Sequence, residues 1–248
     1  MQRVPFRLRA REVSRIEAFS DIVFGFALTL IVVSLEVPDS FEELMHEMRG
    51  FLGFAICFAV LMWIWHAHYT FHRRYAMTDG YTIVINTMLL FLVLYYVYPL
   101  KFIFSIVTGS IEGGGGDGVT LFVIYGLGFA GIFALLLLLY LHAYHSRHEL
   151  ELNEFEVHDT RTSMWMYAAY IGIGLLSTLI AVLFPRWLQF AGWVYFLIGP
   201  VSAFIGAKRG RQRRVLMEDL HNLHVATAQA RPKSSESAAV PTVAANGP

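Results

Sequence analysis

The sequence predicts an all-α integral membrane protein with six membrane-spanning helices per subunit. Three observations lead there. Of 248 residues, 56% are hydrophobic and only 15% are charged, whereas a soluble domain carries about a quarter charged residues. So much apolar surface, at a mean hydropathy of +0.52, exceeds what a water-soluble fold of this size can turn inward, and lipid must cover the rest. Second, the apolar residues gather into six runs near the ~20 residues that a helix needs to cross a hydrocarbon core of ~30 Å. Third, the basic residues collect in alternate connectors. No run alternates polar and apolar residues with a period of two, which argues against a β-barrel.

The runs are Phe19 to Leu35, Gly50 to His68, Tyr81 to Phe104, Val119 to Leu141, Met164 to Phe184 and Trp187 to Gly206. Arg3, Arg7, Arg9, Arg11 and Arg15 precede the first. Arg73 and Arg74 lie between the second and third, and Lys208, Arg209, Arg211, Arg213 and Arg214 follow the sixth. A six-span chain puts these three segments on one side. The other side receives the acidic stretch from Asp39 to Glu47, the Gly113–Gly116 run and the Pro185–Arg186 turn. The bias of Lys and Arg toward cytoplasmic loops then places both termini in the cytoplasm. The mixed-sign loop from His142 to Arg161 falls on the same side. The organisation is a basic N-terminus (1–18), a membrane domain (19–207) and a basic segment with a tail (208–248). Within the last, Val215 to Val225 reads as amphipathic, and Arg231 to Pro248, rich in Pro, Ser and Ala, as disordered.

Composition also excludes. Net charge is zero, so nothing points to nucleic acid. The single cysteine, Cys57, excludes an internal disulfide framework and a Cys-based metal site. No nucleotide loop, nucleophile elbow or zinc-protease motif is present, so the chain does not read as an enzyme. No signal-peptide cleavage site follows the first apolar run.

The informative segment opens the first span: Arg15-Ile16-Glu17-Ala18-Phe19-Ser20-Asp21. A carboxylate at the bilayer centre costs ~2.5–3.5 kcal/mol on insertion scales and less near the interface. Asp21 therefore either sits at headgroup level near a helix start, where negative charge is favoured, or faces protein with a partner. His66, His68 and His72 end the second run, and His142, His145 and His148 end the fourth. Each set could bind a metal or protons, and the second reads better as a wet helix end. Tyr95, Tyr96, Tyr98, Trp187 and Trp193 fit aromatic belts, and Lys101 fits a snorkelling lysine. Tyr125-Gly126-Leu127-Gly128 is no carbonyl filter and reads as a close-packing surface for a neighbouring helix.

Arg-x-x-x-Phe-Ser-Asp at the start of the first span resembles the signature of the transmembrane protein 175 family of lysosomal and prokaryotic potassium-permeable channels. The run FSDIVFGFALTLIVVSLEVP is similar to that family's first helix throughout. Weaker likenesses are Trp65-His66 followed by His68, and Asn86 with Leu89, Leu90, Phe91 and Pro99. The resemblance covers roughly the first half of the chain. It implies a homotetramer whose central pore is lined by the first helix of each subunit, permeated passively by K⁺ without a cofactor, in the plasma membrane. It places Phe26, Thr29 and Val33 at the constriction. Four Phe26 rings would form an apolar neck, bulkier than the aliphatic residue of relatives, and Thr29 would offer four hydroxyls to the ion. It gives Arg15, Phe19, Ser20 and Asp21 a structural role, with Trp65, His66 and Asn86 as network partners. The alternatives are a proton-coupled or metal-ion transporter using Asp21 and the intramembrane histidines, and a membrane enzyme or haem protein using paired histidines.

Overall fold

The computed structural model describes residues 6–10, 12–33, 40–107 and 118–211. These residues fold into long helices: α1 (Arg15–Val33), α2 (Phe41–Tyr75), α3 (Gly80–Val107), α4 (Gly118–His145) and α5 (Glu154–Leu183). A 3₁₀ turn (Pro185–Trp187), a short α6 (Leu188–Trp193) and a second 3₁₀ turn (Val194–Leu197) follow. Helix then resumes over 198–211. Among the described residues, five helices are long and apolar enough to cross a membrane: Gly53–Tyr75, Gly80–Leu100, Gly118–His145, Glu154–Leu183 and Phe190–Arg211. α1 carries Arg15, Glu17 and Asp21 in its first two turns and is apolar beyond them apart from Thr29.

The helix starts follow local chemistry. At α1 the Ser14 Oγ accepts from the Glu17 N–H at 3.3 Å, and the Glu17 carboxylate accepts from the Ser14 N–H at 2.8 Å. This reciprocal capping box satisfies two donors that a helix start leaves open. Asn153 and Glu156 build the same device at α5. α3 starts on Asp79, which accepts from the backbone N–H groups of Tyr81 and Thr82 at 3.0 and 3.2 Å and from the Thr82 hydroxyl at 2.8 Å. Burial raises the Asp79 pKa, but the two Thr82 hydrogen bonds and His142 outweigh it, so it lies below the usual 3.8.

Three boundaries differ from the sequence expectation. α2 starts at Phe41, not Gly50, so part of the acidic stretch assigned to a connector is helical. Hydropathy marks only what lipid covers, and a helix can continue past it into water. α5 starts at Glu154, ten residues before the apolar run at Met164, for the same reason. The expected sixth span is not one unbroken helix but passes through two 3₁₀ turns. Of the aromatic belt, Tyr95, Tyr98, Trp187 and Trp193 are exposed, but Tyr96 is fully buried and stacks on Tyr125. Glu36, Pro38, Arg3, Arg11, Arg213, Arg214, the Gly113–Gly116 run, the amphipathic piece and the tail lie outside the described residues, as do the side chains of Val33 and Lys101.

Packing is aromatic and close. Trp63, Phe129, Phe133, Tyr167 and Tyr170 contact one another through the centre of the bundle, edge-on or tilted except for the stacked pair Phe133–Tyr167. α4 meets α5 with almost no side chain between: a Cβ on Gly126 would lie 2.9 Å from the Gly174 carbonyl oxygen, and the converse approach is also 2.9 Å. A Cβ on Gly128 would strike the Tyr96 ring. The glycine pair expected to seat a neighbouring helix does so, as small residues do where backbones must approach in lipid.

Candidate functional site

α1 has two faces. Ser20, Phe24, Ala27 and Ile31 are buried against α2 and α3. At about 100° per residue, the stripe of positions 22, 26, 29 and 33 is centred on the far side of the helix. There Ile22 is 57% and Phe26 63% exposed, and Thr29 is exposed too. An apolar face left open on a subunit in a bilayer meets either lipid or another subunit. The Thr29 hydroxyl donates to the Gly25 carbonyl at 2.9 Å. Its hydrogen is thus engaged within the helix and its lone pairs are left facing outward.

The buried face is held by a chain of hydrogen bonds running in one direction. His68 Nε2 lies 2.7 Å from Asn86 Oδ1, which can only accept, so His68 donates. Asn86 Nδ2 donates to Ser20 Oγ at 3.0 Å. Ser20 Oγ donates to the Ile16 carbonyl at 2.7 Å. One chain of polar groups thus fixes α1, α2 and α3 to one another, with Ser20, His68 and Asn86 all buried. Each link from His68 to Ile16 is made, which stabilises a buried polar network, and His68 Nδ1 alone is buried without a hydrogen-bond partner among these groups. Beside it, Trp65 Nε1 donates to Asp21 Oδ1 at 2.8 Å on the exposed flank. Trp65 also stacks on Tyr69. Asp21, Gly25, Leu28, Leu61 and Trp65 line a shallow groove of about 320 Å³ between α1 and α2.

The residues singled out from the sequence divide accordingly. Ser20, Asp21, Trp65 and Asn86 meet as hydrogen-bond partners. Arg15 and Phe19 are exposed, and no ion pair joins Arg15 to Asp21 among the described residues. His66 is exposed, with its ring centroid 6.4 Å from that of Tyr69. His68 takes the place expected of His66 in the network. The physical reason is helical spacing: 65, 68 and 72 share one face of α2, and 66 is turned about 100° from 65. The His68 and His72 rings lie tilted to each other with centroids 4.4 Å apart. The histidines ending α4 do not converge. His142 bonds Asp79 at 3.1 Å and His145 bonds the Leu141 carbonyl. No cluster of three metal-ligating side chains occurs among the described residues.

Sequence reasoning missed the junction at the basic end. Arg7 and Arg9 both bind the fully buried carboxylate of Glu156, at 3.2 and 2.9 Å. The Glu156 hydrogen bonds and charge raise the Arg7 pKa above its ordinary value. Arg9 also donates to the carbonyls of Leu150 and Arg74, and Ala10 N–H donates to Arg73. The N-terminal segment, the end of α2 and the α4–α5 turn therefore share one end of the bundle, as the charge bias requires. The Asn153-x-x-Glu156 spacing was the available signal.

These features define a multi-pass helical membrane protein whose first helix is keyed to its neighbours by a polar network and left open on its outer face. The family model described as "Endosomal/lysosomal potassium channel TMEM175" matches residues 15–96, which contain that whole network. A curated protein of Marivirga tractuosa named "Potassium channel" is 37% identical over 234 residues, covering 86% of this chain and 94% of that one. The chain belongs to the TMEM175 family. A potassium channel of Chamaesiphon minutus is 33% identical over 96 residues, 36% of this chain and 47% of its own. The solved structure of the potassium channel MtTMEM175 superposes with a TM-score of 0.72 at 36% identity, covering 85% of this chain and 99% of that one. A TMEM175 homologue from Chamaesiphon minutus shares the fold, with a TM-score of 0.56 at 23% identity, over 79% of this chain and 96% of its own.

Proposed function

We propose that this chain is a potassium channel: a homotetramer of six-span subunits with α1 of each subunit lining a central pore. The observation that carries the reading is the 37% identity to the Marivirga tractuosa potassium channel across 94% of its length. The geometry of α1 supports the pore assignment. A pore helix needs one face locked to its own subunit and the opposite face free, and the Ser20–Asn86–His68 chain locks one while Phe26 and Thr29 stand open on the other.

Counting α1 as the sixth span places Arg15, Glu17 and Asp21 at one boundary, where charge is tolerated. Residues 22–33 then carry only Thr29 as a polar side chain. Four Phe26 side chains form an apolar neck that gates by the free energy of dewetting. Thr29 presents outward lone pairs that replace part of the hydration shell of a cation. Val33 forms the next apolar ring. Phe19, Ser20 and Asp21 set the rotation and height of the helix, with Arg15 on its first turn. Permeation is passive, with no cofactor and no chemical turnover. The protein resides in the plasma membrane with both termini in the cytoplasm, where the basic segments lie.

The test is a current recording from purified protein in a planar bilayer under a potassium gradient with an impermeant anion. The expected current reverses at the potassium potential, and Thr29→Ala changes conductance or the K⁺/Na⁺ ratio. Flux that saturates and depends on a proton gradient, or current untouched by Thr29→Ala and Phe26→Ala alike, would refute the pore assignment.

A further inference from the structure

Two groups stand out among the arginines at the basic end of the bundle. Arg7 and Arg9 pair with Glu156, and Arg74 lies 3.7 Å from Asp159. Arg147, Arg161 and Arg209 form no ion pair among the described residues. The first two gather around one ring. The guanidinium carbons of Arg147 and Arg161 lie 4.9 and 5.1 Å from the Tyr144 centroid. Arg161 Nε donates to the Tyr144 hydroxyl at 3.1 Å. From the last helix, Arg209 comes close enough for the like charge of Arg161 to act on it. Its Nη1 is shielded from solvent and has no hydrogen-bond partner.

Such a cluster is incomplete. Like charges repel more strongly as water is removed, and a shielded cationic donor without a partner is unfavourable. A dianion or monoanion with several oxygens would answer both. Guanidinium groups suit phosphate because their planar fork donates two parallel hydrogen bonds. The level of the cluster identifies the source. Trp165, one turn along α5 on the same face as Arg161, is 63% exposed, as a residue of the aromatic belt at the lipid–water boundary is.

We propose that Arg147, Arg161 and Arg209 form a site for the phosphate of an anionic lipid headgroup, with Tyr144 holding Arg161 in place. The lipid joins the α4–α5 turn to the last helix, whose only other described hydrogen bond to α5 from a side chain near this end is Tyr170 to Ser202 at 2.8 Å. The site rests on the membrane placement of the chain and is independent of the ion carried.

The test uses full-length protein, delipidated in detergent, with thermal melting and native mass spectrometry read against added phosphatidylglycerol, phosphatidylcholine or inorganic phosphate. Phosphatidylglycerol is expected to raise the melting temperature and to be retained. Arg161→Gln and Arg209→Gln should each weaken its binding about fivefold, the fold-change for ~1 kcal/mol per basic residue. Lys208→Gln, an exposed neighbour, should change it little, and Arg161→Lys should restore part of the binding lost in Arg161→Gln. Three results would overturn the proposal: no preference for phosphatidylglycerol over phosphatidylcholine in the wild type, an equal response to inorganic phosphate alone, or unchanged affinity in both glutamine variants. The wild-type comparison alone decides the matter if a variant folds poorly. Currents in bilayers free of anionic lipid test the channel reading separately.

Discussion

Replacing Asn86 with alanine removes the middle of the chain that locks α1 to α2 and α3. The structure gives the size of the effect. Two hydrogen bonds disappear, from His68 and to Ser20, each worth about 0.6 kcal/mol on average within a bilayer. Ser20 keeps its bond to the Ile16 carbonyl, so its donor is not stranded. His68 is stranded: Nδ1 already has no partner, and Nε2 loses Asn86. An orphaned buried donor costs about 1–3 kcal/mol, so Asn86→Ala should destabilise by about 2–4 kcal/mol. Ser20→Ala, which leaves the His68–Asn86 bond intact, should cost about 1 kcal/mol. The assay is reversible unfolding in mixed micelles, with Met88→Ala as the reference, since Met88 is an exposed residue of the same helix. If Asn86→Ala unfolds within about 0.5 kcal/mol of Met88→Ala, the range of an ordinary surface change, the network does not hold α1 and the reasoning fails. Potassium flux should fall with stability in Asn86→Ala, because the locked face sets the rotation of the open one.

Further outcomes follow from the same geometry. Thr29→Ala and Phe26→Ala alter only the open face of α1, so conductance should change while subunit melting stays within about 0.5 kcal/mol of wild type. Gly126→Ala should cost about 1–3 kcal/mol in unfolding experiments, since its Cβ meets the Gly174 carbonyl at 2.9 Å and the Thr178 side chain; an unchanged midpoint would mean that the α4–α5 approach is looser. Glu156→Ala removes the anchor of Arg7 and Arg9. The loss should fall below the about 3–5 kcal/mol of a fully buried pair, because the Arg7 side chain is 54% exposed, and limited proteolysis should cut first near Arg7 and Arg9. The pKa of Asp79 is depressed in the folded state, so its contribution is present above the ordinary aspartate value and lost as pH falls through the folded one. Acid unfolding below about pH 4 should therefore be shallower in Asp79→Asn than in wild type, and identical slopes would exclude the cap as its source.

Much of this architecture was legible because lipid imposes a simple rule. A spanning segment must be helical and apolar, so runs of apolar residues mark the helices, and the ends of α3 and α4 fell within a few residues of expectation. Where that rule stops, so did the reading. The starts of α2 and α5 carry Glu, His and Asp, which hydropathy scores as connector. Among the network residues, Asn86 and Trp65 were legible only through the family resemblance, which named them as partners of the first helix. The sequence reading named His66 where the structure uses His68, since two residues of one type two positions apart differ only in which way the helix is turned.

By itself the sequence determined that the chain is a helical membrane protein, which end carries its positive charge, and that the motif at Arg15 to Asp21 belongs to the TMEM175 family. Those facts reside in composition, in run length and in a short string of neighbours. Only the tertiary structure decided that His68 completes the chain to Ser20, that Arg7 and Arg9 close on Glu156, and that Tyr96 belongs to the core. Each depends on the rotation of one helix against another. That rotation is fixed by side-chain packing and hydrogen bonds between segments far apart in the chain, which local pattern does not encode.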